Sequence, residues 1–425
     1  MTGASTLARE LRDAAQIVSR VATGKSLGGE LDRMAEEGSA SARGALIDLT
    51  HGTLRRYGRS QAVVRELSRR RRPDAPVEAL LWCALYCLES GRYAPYTVVD
   101  QAVRACALLE KPGARGYVNA MLRRFVRERG ALEARIAADP EALYQHPQWW
   151  IDIVRASYPG RWEDVLAAGN SHPPMCLRVN SRRTTTSEYR QELAASGIAS
   201  RQVAEHALLL ERPVPVERLP GFESGRVSVQ DAGAQRAAPC LDLAPGQRVL
   251  DACAAPGGKA AHVLERCAIE LTALDADAVR CARMERNLDR LQLRASIRAA
   301  DCTQLASWWD GAAFDRVLAD VPCSASGVAR RHPDVKWLRR ARDLPAFASR
   351  QSAILGALWR VLRPGGKLLY VTCSVFPQEN DTVIDAFVAA APDAQRIALP
   401  DAGPAQWLPD PVHDGFYYAL IEKKT

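Results

Sequence analysis

VLDACAAPGGK, residues Val249 to Lys259, runs a short apolar strand into a tight turn of Ala, Pro and Gly. A strand that ends on an acid and turns through glycines into a helix sets unpaired backbone N–H groups beside the strand's carboxyl end. In an open α/β sheet that is where a ligand binds. The generic dinucleotide fingerprint G-x-G-x-x-G is absent, so Asp251, Pro256, Gly257, Gly258 and Lys259 make a more particular signature. Strand and helix patterns then alternate to the end: ELTALD, DAVRCARMERNLDRL, ASIRAAD, FDRVLAD, a long helix ending at VLRPGG, KLLYVTCS and NDTVIDAFVA. This alternation predicts a parallel sheet covered by helices over residues 230–425. RIALP and GFYYALIEK predict a final antiparallel pair.

Upstream the periodicity changes twice. From 175 to 229, CLRVN and HALLLE read as strands and TSEYRQELAASG as a helix closed by a glycine, which predicts a small α+β module. Residues 136–174 carry HPQWWIDIVRASYPGRWEDVLAAGN, an amphipathic connector in which Trp149 and Trp150 read as packing anchors. Residues 1–135 show helical periodicity and hardly any strand pattern, for example LARELRDAAQIVSRV and PVEALLWCALYCLES, and predict an all-α bundle.

Charge is unevenly spread. The chain has 57 Lys and Arg against 49 Asp and Glu, and residues 1–140 hold 23 of the bases and 16 of the acids. The positive field therefore belongs to the N-terminal part, which favours a polyanionic partner there. Its bases cluster at Arg55, Arg56 and Arg59, at Arg69, Arg70, Arg71 and Arg72, and at Arg115, Arg123, Arg124, Arg127 and Arg129. Such runs are either solvated helix faces or an RNA-binding surface, and several in one small domain beside Tyr57 and Tyr117 tilt the reading to RNA. Eleven scattered cysteines with no C-x-x-C pair and no secretory leader predict a reducing cytoplasm and no metal site. Cys83 and Cys87, one turn apart in LLWCALYCL, read as packing. No apolar run approaches the roughly 18 residues needed to cross a bilayer, which predicts a soluble protein. No oligomer signal is visible, so a monomer is expected.

Four loops after four strands offer chemistry. The turn Cys253, Ala254, Ala255, Pro256, Gly257, Gly258 and Lys259 supplies backbone donors. Asp275, 18 residues past Gly257, has the spacing of an acid that accepts ribose hydroxyls. Asp301 in AADCT would accept an adenine amino group, and Asp320 in LADVPCS would sit between cofactor and substrate. Each of these carboxylates could instead cap a helix; Asp275 directly precedes one. Cys323 in DVPCSASG and Cys373 in YVTCS each stand just past a strand, either as catalytic thiols or as buried packing.

These motifs together resemble the RNA cytosine-C5 methyltransferases of the NOL/NOP2/Sun family, which share a Rossmann-like class I methyltransferase fold. VLDACAAPGGK is similar to that family's S-adenosylmethionine loop, and DVPCSASG with YVTCS to its two cysteine motifs. The resemblance implies that Cys373 is the nucleophile adding to carbon 6 of cytosine, that Cys323 assists elimination and release, and that Asp320 orients the base. DNA cytosine methyltransferases attack with the P-C cysteine, so the presence of both cysteines points to RNA. GVARRHPDVKWLRR matches the family's arginine-rich segment, in which Arg330, Arg331, Lys336 and Arg339 either grip phosphate or begin a solvated helix. The closing GYVNAMLRRF of the first domain resembles a NusB-like RNA-binding domain, and residues 175–229 resemble a ferredoxin-like or RRM-like insert without the aromatic RNP pattern. That order resembles the bacterial RsmB (Sun/Fmu) subfamily and implies 16S rRNA as the partner. Transfer RNA as substrate, or an RNA-binding assembly factor with a vestigial methyltransferase core, are the alternatives.

Overall fold

The structure is a computed structural model that describes residues 7–37, 43–68 and 72–425. The chain divides into two compact units, Met1–Ser171 with Ala329–Ala341, and His172–Val328 with Arg342–Thr425.

The first unit is helical throughout its described residues. Seven main helices, Leu7–Ala22, Leu27–Glu36, Arg43–Arg55, Tyr57–Leu67, Ala75–Ser90, Pro95–Leu108 and Arg115–Ile136, are followed by the shorter Pro140–Tyr144, Gln148–Ser157 and Trp162–Asn170. Helix Ala75–Ser90 buries every residue from Ala79 to Leu88, as a helix apolar on all sides must. Burial pushes the Cys83 thiol up to about 12, and Cys87 also upward, which keeps both inert. Trp150 is buried against His146 and Trp149.

Segment Ala329–Ala341, although it follows the strand pattern of the C-terminal half, packs into this helical unit. Asp334 accepts the Leu27 N–H at 2.9 Å, and the Trp337 indole donates to the Leu54 carbonyl at 3.0 Å with its ring edge-on to Tyr57. Lys336 Nζ donates to the carbonyls of Arg55 and Gln145 and to Asn170 Oδ1, at 3.3, 2.9 and 2.8 Å. Arg55 in turn donates to the Arg330 carbonyl at 2.9 Å.

Both readings of these bases, phosphate grip and solvated helix start, are thereby corrected at two positions: Arg330 is 1% exposed and Lys336 0%. A local pattern of bases looks solvated until helices from elsewhere in the chain close over it. Arg331 is half-buried. The Arg55, Arg56, Arg59 cluster is likewise engaged, since Arg56 and Arg59 bond Glu89 at 3.2 and 2.8 Å and Arg59 reaches Glu133 at 2.8 Å. Tyr57 is buried beside Trp82, away from any base-stacking role. Arg72 and Arg123 are exposed, whereas Arg124 is half-buried and paired with Glu128 at 2.9 Å. Arg69, Arg70 and Arg71 lie outside the described residues.

The second unit holds two sheets. The smaller contains β1 (Cys176–Val179), β2 (Ser200–Ala204), β3 (Ala207–Leu210) and β4 (Val227–Val229) in the antiparallel order β2-β3-β1-β4. Helix Thr186–Ala195 begins with a capping box in which Thr185 and Glu188 satisfy each other's backbone N–H. β2 has no apolar signature in sequence because it is an edge strand whose side chains are mostly exposed.

The larger sheet contains β5 (Arg248–Asp251), β6 (Glu270–Asp275), β7 (Ser296–Ala299), β8 (Phe314–Asp320), β9 (Leu362–Thr372), β10 (Ala394–Ile397), β11 (Gln406–Trp407) and β12 (Phe416–Lys423). Its order is β10-β12-β9-β8-β5-β6-β7, with β11 beside β12. The five strands from β9 to β7 are parallel, and β12 and β10 close the sheet antiparallel. Alternate residues serve two cores: Val249, Ala273, Leu318 and Leu369 one, Leu250, Leu274, Val317 and Leu368 the other. Both faces are covered, which is why these strands read as near-continuous apolar runs. The chain builds β5, β6 and β7 outward, then crosses back to place β8 on the other side of β5. Loops leaving β5 and β8 therefore diverge and open a crevice at their carboxyl ends.

Candidate active site

The turn after β5 is set by backbone constraints. Gly257 sits at φ +93°, and a Cβ there would lie 2.7 Å from Met284 Cγ, so both the conformation and the space require glycine. Gly257 caps helix Gly258–Arg266, whose first N–H groups have no partner within the helix. Three contacts hold the turn: Ala254 N–H donates to the Leu274 carbonyl at 2.7 Å, Arg280 donates to the Ala255 carbonyl, and Arg178 from β1 donates to the Gly258 carbonyl at 2.7 Å. Arg178 also meets Gln230 at 2.6 Å and makes a two-pronged ion pair with Glu265, both bonds 2.8 Å. Strand β1 of the small sheet thus buttresses the turn.

A cavity of about 260 Å³ opens at the carboxyl ends of the strands. It brings together Cys253, Ala255, Asp275, Asp301, Asp320, Cys323 and Cys373 from loops that span 120 residues of sequence. Ala254, Pro256, Gly257, Gly258 and Lys259 shape the turn without lining the cavity. A larger cavity, about 760 Å³, lies between Arg72 and Tyr117 in the helical unit; it contains neither thiol pair nor strand-end acids, so size does not mark the site.

Asp275 is not the cap of the helix that follows. Asp277 is, accepting the N–H groups of Val279 and Arg280 at 2.8 and 3.2 Å, while Asp275 accepts Asp277 N–H and stands 3.4 Å from Arg280. Asp301 closes a turn through Thr303, whose N–H and hydroxyl hold one of its oxygens and lower its pKa. Lys259 Nζ donates to Asp320 Oδ2 at 2.6 Å. Burial lowers the Lys259 pKa, but Asp320, joined by Cys373 and Asp251, outweighs it and the net shift is upward. Lys259 is therefore a fixed positive charge in the site. Asp251 is the opposite case: burial, then the charge of Asp320, pushes it up to about 8 against the opposing pull of Lys259 and the Cys253 backbone N–H. His262 is buried and pushed well below its usual range by that burial, in keeping with a packing residue.

Cys323 Sγ and Cys373 Sγ are 3.3 Å apart. The hydrogen bond to Cys373 and then burial raise the Cys323 thiol well above its usual value. Sequence reasoning gave no role to the cavity residues Arg280, Cys302 and Arg350. Cys302 sits next to the foreseen Asp301, and Arg280 one turn into the helix after Asp275; adjacency to a strand-end acid was the available signal.

Residues 238–422 match the family model described as 16S rRNA methyltransferase RsmB/F. Residues 146–217 match the RsmF/B-like ferredoxin-like domain and residues 8–127 the NusB family. The ribosomal RNA small subunit methyltransferase B of Pseudomonas putida is 43% identical over 96% of this chain and 97% of its own length. The chain belongs to the RsmB/F family of 16S rRNA methyltransferases. The corresponding RsmB protein of Vibrio cholerae is 42% identical over 89% of each chain. Among solved structures, PH0851 superposes with a TM-score of 0.81 over 99% of both chains at 23% identity, which carries the fold. A methyltransferase homologue from Pyrococcus horikoshii aligns at TM-score 0.60 and 26% identity, over 68% of this chain and 98% of that one. A NusB domain, a ferredoxin-like domain and a methyltransferase domain thus follow in this RsmB/F chain in the order expected from the sequence.

Proposed function

We propose that this protein methylates carbon 5 of a specific cytosine in 16S rRNA, using S-adenosylmethionine and a covalent bond between Cys373 and carbon 6 of the base. The observation that carries the reading is the pair of thiols 3.3 Å apart in the same cavity as three strand-end carboxylates. The donor set fits the cofactor. The turn Cys253–Lys259 offers backbone N–H groups, and Asp275 and Asp301 offer acceptors for ribose hydroxyls and an adenine amino group. When bound, S-adenosylmethionine supplies an electrophilic sulfonium methyl group.

The protein's own groups do the rest. Carbon 5 of cytosine is a poor nucleophile until a thiolate adds to carbon 6 and turns the ring into an enamine. Cys373 makes that bond. Cys323, 3.3 Å from Cys373 Sγ, assists its release: once carbon 5 has passed its proton to a water in the cavity, the bond between Cys373 Sγ and carbon 6 breaks and the sulfur leaves as a thiolate hydrogen-bonded to Cys323. Asp320, fixed by Lys259, orients the pyrimidine edge. Phosphate contacts fall to exposed bases of the helical unit such as Arg72 and Arg123.

The test is transfer of labelled methyl groups to protein-free 16S rRNA and to bulk tRNA, with 5-methylcytosine mapped afterwards. Label at a single 16S cytosine, lost in Cys373→Ala, is the expected result. Label confined to tRNA would overturn the substrate, and full transfer by Cys373→Ala would overturn the mechanism. Cys323→Ala should accumulate a covalent RNA adduct on denaturing gels.

A further inference from the structure

Glu379 is a fully buried carboxylate that takes no part in the chemistry above. It lies six residues past Cys373, in the single turn Pro377–Glu379. One oxygen accepts the Ser324 N–H at 2.8 Å and the Gln351 amide at 3.2 Å; the other accepts the hydroxyls of Ser324 and Ser374 at 2.5 and 2.7 Å. Ser324 and Ser374 are the residues that directly follow Cys323 and Cys373. A single side chain therefore holds both thiol-bearing loops.

Neighbouring bonds make this bracket stiff. Ser326 Oγ lies 3.0 Å from Ser374 Oγ and accepts the Val375 N–H at 2.9 Å. Gly327 N–H donates to the Cys373 carbonyl at 2.8 Å, and a Cβ on Gly327 would meet the Gly415 carbonyl oxygen at 2.3 Å, so the Cys323 loop has no room to shift inward. Gln351 also donates to the Pro322 carbonyl at 3.0 Å, on the other side of Cys323. Among the described residues the hydrogen-bond donors to Glu379 are all neutral groups. A buried carboxylate so placed is a poor device for stability, because an apolar side chain would fill the volume at lower desolvation cost. Its hydrogen bonds do something an apolar side chain would not: they fix the separation of two loops 50 residues apart in sequence.

We propose that Glu379 is a positioning residue, a buried bracket that sets the 3.3 Å distance between Cys323 Sγ and Cys373 Sγ. The inference rests on the two-thiol mechanism proposed above. Loosening the bracket would let the thiols drift apart, and Cys323 would no longer reach Cys373 with its proton.

The test uses the full chain with Glu379→Ala, Glu379→Gln and Ser374→Ala, and two readouts. One is kcat for methyl transfer together with the affinity for S-adenosylmethionine. The other, independent of RNA and cofactor, is the rate at which diamide, a two-electron thiol oxidant, closes Cys323 and Cys373 into a disulfide, measured by mass spectrometry of the linked peptides. Displacement on the ångström scale costs up to ~100-fold in rate, so Glu379→Ala should slow both readouts by roughly 10- to 100-fold while cofactor affinity stays within about twofold. Glu379→Gln keeps one acceptor and lets the serine hydroxyls turn to face its amide, and should stay within about threefold of the parent. Ser374→Ala, which loses one hydroxyl, should fall between the two and serves if Glu379→Ala does not fold.

Unchanged disulfide closure in Glu379→Ala and Ser374→Ala would overturn the proposal. So would cofactor affinity lost in step with kcat, which would make Glu379 a general folding element. Glu379→Gln as slow as Glu379→Ala would overturn it too, by making the charge and not the bracket the agent. Failure of the two-thiol mechanism has a separate sign, full methyl transfer by Cys373→Ala, and leaves the disulfide readout standing.

Discussion

Each unit buries a basic side chain, and the two are accommodated in opposite ways. In the second unit Arg178 meets the Glu265 carboxylate through two bonds of 2.8 Å, so a buried charge sits against its counter-charge. In the first unit Lys336 meets two main-chain carbonyls and one amide oxygen. Burial, and then the positive charge of Arg55, pushes the Lys336 amine well below its usual range, and the groups bonded to it are neutral acceptors and not a counter-charge. Asp251 stands with Lys336: burial, and then the charge of Asp320, raises it to about 8. A matched charge is insensitive to pH and costly to unmatch, whereas an unmatched one makes its surroundings respond to pH.

The sharpest way to break this contrast is Glu265→Ala. It leaves the Arg178 guanidinium buried without a counter-charge and should cost about 3–5 kcal/mol in denaturant unfolding. The double variant Arg178→Met, Glu265→Leu removes both charges and should recover at least half of that loss. A single-variant cost below about 1 kcal/mol would mean that the pair is not matched as described.

Asp251→Asn comes next. A carboxyl raised from 3.8 to about 8 binds a proton in the folded state that the unfolded chain has lost, so the parent loses stability as pH rises from about 4 to 8. Unfolding curves at pH 5 and pH 8.5 should show the variant losing less over that interval, by an amount on the order of a few kcal/mol. Identical slopes would show that Asp251 is ionised in the fold.

Lys336→Met tests the same idea with the opposite sign. An amine lowered on folding binds fewer protons than in the unfolded chain, so it makes stability rise with pH between its lowered value and its unfolded one. His146, also pushed well below its usual range by burial and by Lys336, adds to the same trend at its acid end. The variant should flatten the rise between pH 7 and 9 by on the order of 1 kcal/mol.

The smallest effect on stability belongs to Arg123→Ala, at an exposed helix position that donates to Asn119 one turn earlier. Its stability should change by less than about 0.5 kcal/mol. If the helical unit grips RNA there, the salt slope of RNA binding should drop by about one.

The turn at Val249–Lys259 and the segment Ala329–Ala341 show how far the sequence could be read. The first was legible in full: strand, acid, glycine turn and helix are adjacent, and each constrains its neighbour through backbone geometry within a few residues. The second was legible as chemistry and misread as location. Its bases, Arg330, Arg331, Lys336 and Arg339, lie close together in sequence, which is also how the solvated start of a helix reads. Arg330 is instead covered by a unit whose contacting Arg55 lies 275 positions away. β2 was missed for a related reason, since an edge strand exposed on most of its residues carries no alternation to detect. The possible capping role of Asp275 was resolved only when Asp277 proved to be the cap.

By itself the sequence determined the order of domains, the parallel sheet with its antiparallel close, the strand ends at which the acids and cysteines stand, and the family. Those features rest on periodicity and turn chemistry, which are local and survive in a linear reading. Only the tertiary structure decided that two thiols 50 residues apart meet at 3.3 Å, that Glu379 brackets their loops, and that Arg178 is matched while Lys336 is not. The charge state and reach of a side chain depend on what packs over it, and in a chain of 425 residues that neighbour is set by long-range closure of the core, not by the residues beside it in sequence.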